Sequence, residues 1–405
     1  MSSQTHPLKA QHTGIDTLYN SLITRLTQSS FYQHLVKTTE RYMVSPRFYR
    51  LSVKSFITRW YAVRRTQQVF DLMAGFVNFQ VLLTCVRLGV LELLCEGPSS
   101  LEAISMKTQL SLEQLQPLLS SAIALRLIET RGPGMLGIGP LGLPVVAYDG
   151  ISAMIEHNAV LYADMVNTDH LIQGKKSSQM NEFWTYAPPK SQQVAETCAQ
   201  MDDMTRQEQT KKYSELMSAS QNFVIDEILS AYDFGEHQIL LDIGCGMGRF
   251  VANVALKHSK LRFEVMDLPA VIELTKEKLQ SYQLSHRVNF NPGSFKDDPL
   301  PAGADLVSLV RVAHDHSDAV LAELFKKIYD NLPIGGALLL AEPMSSPKGA
   351  RHDAYFHFYL LAMGEGKLRS AQFLGQMLLD AGFQNVKVLS NPMPIHTQIL
   401  VATKT

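Results

Sequence analysis

The residues best equipped for chemistry crowd one short stretch, Val310-Arg311-Val312-Ala313-His314-Asp315-His316-Ser317-Asp318. Histidine titrates near neutrality, so an imidazole here suits removal of a proton from an attacking hydroxyl. A carboxylate behind the ring would fix its tautomer and stabilise the imidazolium. Glu342, in Leu340-Ala341-Glu342-Pro343, closes the next predicted strand, and a parallel sheet would bring it beside His314. Asp315 adjoins the same ring. From the residues alone three roles for His314 stay open. It is a general base, a structural histidine, or, with Asp315 and Asp318, a ligand to a divalent ion that orients two substrate oxygens.

A second cluster lies upstream, in Leu241-Asp242-Ile243-Gly244-Cys245-Gly246-Met247-Gly248-Arg249. It follows a predicted strand and opens a predicted helix, where glycines allow a tight turn and close approach of backbone to a ligand. Nineteen residues beyond Gly248, Asp267 ends the next strand, placed to accept from two ribose hydroxyls, with Leu268 beside it. The dinucleotide fingerprint wants its third glycine where this chain has Arg249. An adenosyl ligand of the S-adenosylmethionine kind therefore fits better than NAD. Asp242, Gly244, Gly246, Gly248, Asp267 and Leu268 are the expected contacts. After the third strand, Ser294 would meet the adenine edge and Phe295 its face, unless Phe295 is ordinary core. Arg311 is grouped with the cofactor contacts.

The elements that must position these residues change texture near Phe223. Beyond it, strands at Gln238–Ile243, Arg262–Asp267, Val288–Pro292, Leu306–Val310, Ala337–Ala341, Val386–Leu389 and His396–Ala402 alternate with helices for most of the way, as in a parallel sheet covered on both faces. Before it, helical periodicity is expected over Leu18–Leu35, Phe48–Val63 and 66–98, then two short helices capped by Ser100 and Ser111. Arg131–Gly137 is a hairpin or wing. The Ser111–Leu125 helix has no Lys or Arg, which argues against DNA recognition.

At 405 residues the chain suits two domains, 1–215 and 216–405. A net charge of -1 gives no reason to expect a nucleic-acid partner. Four unpaired-looking cysteines and no secretory signal fit a reducing, cytoplasmic setting. Leu72–Val86, about 15 residues, is short of a membrane span and reads as a buried helix. Between Arg41 and Arg65 lie seven basic residues and no acid, interleaved with aromatics. This is a solvated helical face, a contact with an anionic membrane surface, or, less simply, a nucleic-acid contact.

Together these marks resemble the class I, S-adenosylmethionine-dependent O-methyltransferases of the plant and acetylserotonin type. The resemblance covers roughly residues 66 to 405. It rests on the glycine motif, Asp267-Leu268-Pro269, His314-Asp315, Glu342, and Gly366-Lys367-Leu368-Arg369-Ser370 ahead of Ala381-Gly382-Phe383. Phe70-Asp71-Leu72-Met73-Ala74-Gly75-Phe76-Val77 and Glu156-His157 point to the bacterial carotenoid branch, acting on hydroxyneurosporene or demethylspheroidene.

The resemblance implies an α/β, Rossmann-like class I methyltransferase domain with an N-terminal all-helical, winged-helix-like dimerisation domain. It implies S-adenosyl-L-methionine as cofactor, no metal, a homodimer, His314 as base and Glu342 as its partner. Three positions depart from the plant pattern: Ser294 for an aspartate, Val310 for a lysine, and Leu368 for a second glutamate. The last makes the pocket more apolar, suiting a lipophilic acceptor in a tunnel lined by His157, Met165, Trp184, His357 and Phe358. A substrate of that kind would bring the enzyme to the photosynthetic inner membrane as a peripheral protein. The rival readings are a bacteriochlorophyllide C-methyltransferase, another small-molecule O-methyltransferase, and a winged-helix regulator that keeps a cofactor fold.

Overall fold

The computed structural model describes residues 6–7, 29–174, 178–183, 214, 221–346, 349–394 and 396–405. The chain divides into two compact units, residues 9–139 and residues 1–8 with 140–405. That differs from a boundary at 215/216, because the helices from Leu143 onward belong to the sheet-bearing unit. The two-residue strand β1 (His6–Pro7) pairs with that unit's sheet.

The 9–139 unit begins with helices α1 (Ser30–Met43), α2 (Pro46–Lys54) and α3 (Phe56–Arg87). The helix expected over Phe48–Val63 is broken, because Ser55 takes an extended ψ of 128° between α2 and α3. Ser45 caps α2 by accepting from Phe48 N at 3.2 Å, and Pro46 sits in its first turn, where a missing N–H costs nothing. The helix at 72–86 is not the buried one expected. It belongs to the 32-residue α3, whose buried residues are Ala62, Leu83, Cys85 and Val86. Leu72, Met73, Phe76 and Val77 are exposed. By length and composition alone, α3 is long and apolar enough to cross a membrane.

α4 (Val90–Cys95), β2 (Ser99–Ser100), α5 (Leu101–Thr108) and α6 (Leu112–Ala124) follow. Ser100 accepts from Ala103 N, and Ser111 with Gln114 forms a reciprocal capping box. The Gly-rich segment is a hairpin, β3 (Ile128–Gly132) and β4 (Met135–Ile138), and β2 joins it in the order β2-β4-β3. The hairpin or wing expected at Arg131–Gly137 is thus present, and β2 extends it to a small three-stranded sheet.

In the second unit, α7 (Leu143–Ala147), α8 (Asp149–Met165), α9 (Thr168–Ile172), α10 (Gln179–Phe183) and α11 (Asn222–Ala231) precede the sheet. Its strands are β5 (Ile239–Ile243), β6 (Arg262–Asp267), β7 (Val288–Pro292), β8 (Leu306–Val310), β9 (Ala337–Glu342), β10 (Gln384–Leu389) and β11 (Gln398–Thr403). Helices α12 (Arg249–Lys257), α13 (Pro269–Ser281), α14 (Asp318–Asn331), α15 (Arg351–Met363) and α16 (Ala371–Asp380) connect them. The order is β1-β10-β11-β9-β8-β5-β6-β7.

β5 to β9 pair in parallel, as the alternating pattern predicts. β11 instead runs antiparallel to both β9 and β10. The link from Leu389 to Gln398 is too short for the crossover that a parallel pair needs. Every residue of β8 and β9 is buried, with one apolar cluster on each face of the sheet. The chain leaves β5 toward β6 on one side and returns to β8 on the other. That switch point opens a crevice at the C-terminal strand ends, and both chemical clusters emerge there.

Candidate active site

The turn after β5 is shaped for a ligand. Gly244, Gly246 and Gly248 have φ of 71°, 53° and 71°, a region that favours glycine. A Cβ on Gly244 would lie 2.6 Å from Val312 Cγ2, so this glycine lets the turns after β5 and β8 close against each other. A Cβ on Gly246 would meet nothing within 4 Å. The backbone there faces open space, as a cradle for a ligand should.

Asp267 Oδ2 accepts from Gly246 N and Oδ1 from Leu268 N, each at 2.8 Å. Each oxygen keeps a lone pair for a ribose hydroxyl. Burial pushes the Asp267 carboxyl up to about 6, against the two backbone donors. Asp242, at the end of β5, is buried and accepts from Ser308 Oγ at 2.6 Å. Burial outweighs that bond, helped by the Asp267 charge, and raises Asp242 to about 7. Gly293 N donates to Asp267 O at 2.9 Å, so Ser294 and Phe295 begin beside the same edge. Ser294 Oγ accepts from Lys296 N, and the Phe295 ring meets His316 edge-on with centroids 5.1 Å apart. The partly buried Phe295 packs against the core cluster.

His314 sits in a 3-10 turn, Ala313–Asp315, just past β8. Glu342, 1% exposed at the end of the neighbouring β9, holds that turn by its backbone. Its Oε1 accepts from Val312 N at 2.8 Å and Ala313 N at 2.7 Å, and its Oε2 lies 3.4 Å from His314 N. Oε2 also takes His314 Nδ1 in a short hydrogen bond. Nε2 is therefore the nitrogen left to exchange a proton. Asp315 Oδ1 lies 3.2 Å from Nε2, but it has no aligned hydrogen bond, so its influence is chiefly Coulombic. Burial alone would lower the His314 pKa. The Asp315 and Glu342 carboxylates outweigh it, and the net shift is upward. Burial raises Asp315 itself to about 6.

Asp318 does not join the histidine. It pairs with Lys367 Nζ at 2.8 Å and Arg369 Nε at 2.7 Å. Among the described residues no group of three or more His, Cys, Asp or Glu is disposed to hold a metal ion.

A brace behind the turn was not singled out in the sequence beyond its motif. Arg369, buried, donates from Nη1 to Ala313 O at 3.1 Å and from Nη2 to His316 O at 2.7 Å, on either side of His314. Lys367 N donates to His314 O at 2.9 Å. A Cβ on Gly366 would fall 2.5 Å from that same carbonyl. The signal was present in a run of Gly, Lys and Arg that is too polar for core, yet its partners lie about 50 residues away and only the fold reveals them.

A cavity of about 280 Å³ opens beside His314, lined by apolar and aromatic side chains from α8, α11 and α15, with Arg311 and His396 as further polar fixtures. Ile151, Met154, Ile155 and Asn158 share one helical stripe of α8, and Tyr355, Phe356 and Tyr359 one stripe of α15. Tyr355 OH donates to Asn158 Oδ1 at 2.9 Å, which ties the two walls together. Arg311, expected at the cofactor, lines this cavity from a left-handed backbone with φ 57°.

The expected substrate contacts fare unevenly. His157 stands one layer behind the wall, 3.3 Å from Tyr359 OH, and burial followed by the Arg311 charge lowers it to about 4. Met165 lies two turns beyond Asn158 and packs into a satellite apolar cluster with Leu161 and Met363. His357 is exposed on the far side of α15, and Phe358 does not reach the cavity wall. Trp184 lies outside the described residues. Aromatic residues run almost all round α15, so its sequence does not by itself mark which of them face the cavity.

Comparison with known proteins gives two family matches, an O-methyltransferase domain over residues 192–384 and an O-methyltransferase dimerisation domain over residues 70–136. The demethylspheroidene O-methyltransferase of Cereibacter sphaeroides is 34% identical over 364 residues, 89% of this chain and 93% of that protein. Human acetylserotonin O-methyltransferase is 25% identical over 78% of this chain and 91% of its own length. The crystal structure of human N-acetylserotonin methyltransferase in complex with SAM superposes with a TM-score of 0.67 at 21% identity, covering 84% of this chain and 97% of that one.

Proposed function

The chain belongs to the S-adenosylmethionine-dependent O-methyltransferases that carry a dimerisation domain, and on that footing we propose that it methylates a tertiary hydroxyl of an acyclic carotenoid, with His314 as general base. The observation that carries the proposal is the largely apolar cavity with His314, held from behind by the buried Glu342, in its wall. A long lipophilic acceptor suits such a wall, because desolvating its chain is favourable by roughly 25 cal/mol per Å². At about 280 Å³ the cavity lies near the small end of ligand pockets and suits one chain end better than a whole tetrapyrrole ring. The 34% identity to a protein named for demethylspheroidene points to the same substrate class.

When bound, S-adenosylmethionine supplies an electrophilic methyl and departs as a neutral thioether. Asp267, with Leu268 beside it, would take the ribose, Gly246 would let the backbone approach while Gly244 and Gly248 keep the turn packed against Val312 and Thr275, and Ser294 and Phe295 would border the adenine. Asp242 would support the turn from below. Nε2 of His314 accepts the hydroxyl proton as the oxygen attacks. Glu342 holds Nδ1–H, so the ring presents its basic nitrogen to the cavity, and Asp315 with Glu342 stabilises the imidazolium that forms. Arg311 faces the acceptor.

The dimerisation domain supports a homodimer, and the exposed apolar residues of α3 from Phe70 to Val77 fall within it. A carotenoid acceptor dissolves in the bilayer, so peripheral contact with the membrane that holds it belongs to this reading. The test is incubation with radiolabelled S-adenosylmethionine and a hydroxylated acyclic carotenoid in detergent. A labelled methoxy product is expected, and its absence alongside retained cofactor binding would remove the carotenoid assignment.

A further inference from the structure

The first helices of the 9–139 unit present a surface that methyl transfer does not use. α2 folds back on α3, with the Tyr49 and Thr66 hydroxyls 2.9 Å apart and Thr58 Oγ1 donating to Ser52 O at 2.8 Å. Ser55 is the apex of this helical hairpin. At the apex Phe56, Ile57 and Trp60 are 95%, 87% and 68% exposed. Bulky apolar side chains clustered in water mark a contact site more often than isolated ones do.

The surrounding charges are of one sign. Arg41, Arg47, Arg50, Lys54, Arg59, Arg64 and Arg65 are all exposed, and no acid lies among residues 41–65. Arg47, Arg50 and Lys54 follow one stripe of α2. Arg64 lies over the Trp60 ring at 5.3 Å and Arg65 over Tyr61 at 4.9 Å, so cations and aromatic rings share a surface.

We infer that this hairpin docks the enzyme on an anionic lipid surface, with Phe56, Ile57 and Trp60 entering the interface and the basic residues meeting the head groups. The inference deepens the membrane contact proposed above and rests on that reading for its purpose. Interfacial helices combine these two ingredients, an apolar insertion and a cationic rim. A nucleic acid would satisfy the cations but leave the apolar tip in water. A second copy of this hairpin would set like charges against each other, and the matched dimerisation domain begins only at residue 70.

The chain has two tryptophans, so Trp184→Phe leaves Trp60 as the reporter. The full-length protein is mixed with phosphatidylcholine vesicles, either pure or with roughly a third phosphatidylglycerol, at low and high salt. Co-sedimentation with the anionic vesicles, its loss at high salt, and quenching of Trp60 by brominated acyl chains are expected. Arg47→Gln, Arg50→Gln and Lys54→Gln should each weaken binding about fivefold, and Phe56→Ser with Ile57→Ser should abolish the quenching. Methyl transfer to a detergent-solubilised acceptor, assayed with Trp184 retained, should survive the substitutions at Arg47, Arg50, Lys54, Phe56 and Ile57, so lipid docking and carotenoid methylation fail separately. Equal behaviour with neutral and anionic vesicles, or an unquenched Trp60, would overturn the inference. Binding to duplex DNA without vesicles would reassign the surface to nucleic acid, and a Trp60 shielded from aqueous quenchers in the free dimer would reassign it to self-association.

Discussion

Replacing Glu342 with glutamine tests the catalytic geometry without emptying the site. The carboxylate now accepts from Val312 N and Ala313 N through Oε1, and from His314 Nδ1 through Oε2. In Glu342→Gln the amide oxygen can keep the two backbone donors, each worth about 1 kcal/mol. The amide nitrogen then faces Nδ1 as a donor. His314 must turn Nδ1 into an acceptor, which moves its proton to Nε2 and leaves no base toward the cavity. Where a buried carboxylate sets a histidine tautomer in this way, its amide costs about 10⁴-fold in kcat. We expect a loss of about 10³ to 10⁴ in kcat, little change in cofactor affinity, and a stability cost of about 1–2 kcal/mol.

The pH dependence gives a second reading of the same variant. With His314 as the proposed base, its neutral form would be the active one, and kcat should rise with pH through its pKa, which Asp315 and Glu342 raise above the usual histidine value. Losing the Glu342 charge lowers that pKa, and the acid limb of the residual activity should move to lower pH. Stopped-flow or quench assays across pH 5 to 9, a range wide enough to cover an unperturbed histidine, would measure both. A variant within tenfold of the parent, with an unmoved acid limb, would refute the tautomer argument.

His314→Ala should leave S-adenosylmethionine binding nearly intact and cut turnover at least about a hundredfold, as calorimetry and single-turnover rates would show. Asp267→Ala should weaken cofactor binding by about 1.5–3 kcal/mol through the lost charged acceptor, and an unchanged affinity by calorimetry would contradict its ribose role. Cofactor affinity of the parent should rise as pH passes upward through about 6, because Asp267 ionises there and only the ionised form accepts from both hydroxyls; a flat profile would count against it. Gly366→Ala places a methyl 2.5 Å from His314 O. A shift of the turn by up to an ångström should lower kcat about a hundredfold with a smaller change in cofactor affinity, and parent-like kcat would mean that the brace does not set the base.

Much of the sheet was readable because parallel strands buried on both faces appear as apolar runs broken by glycine and acid. β5 with its glycine turn, β6 ending at Asp267, β8 ending before His314 and β9 ending at Glu342 all stand where the pattern puts them. Their juxtaposition follows from the switch point in the strand order, where β8 returns to pair with β5. The antiparallel insertion of β11 was hidden, since strand direction depends on a connection length that periodicity does not report. The acceptor wall was legible only in part. The expected residues Met165, His357 and Phe358 lie on the helices that wall the cavity, α8 and α15, but those helices line it with Asn158, Tyr355 and Tyr359. An aromatic residue reads alike on either side of a helix buried at one end. The Arg369 brace depends on carbonyls, which carry no sequence signature at all.

The central claim is that a hydroxyl held in the cavity gives its proton to Nε2 of His314. A crystal structure with S-adenosylhomocysteine and a hydroxylated acyclic carotenoid tests it directly. The hydroxyl oxygen should lie about 2.6–3.2 Å from Nε2, with Nδ1 still on Glu342 and the oxygen in line with the cofactor sulfur. An oxygen bound away from the imidazole, with another side chain in hydrogen-bond reach of it, would contradict the account.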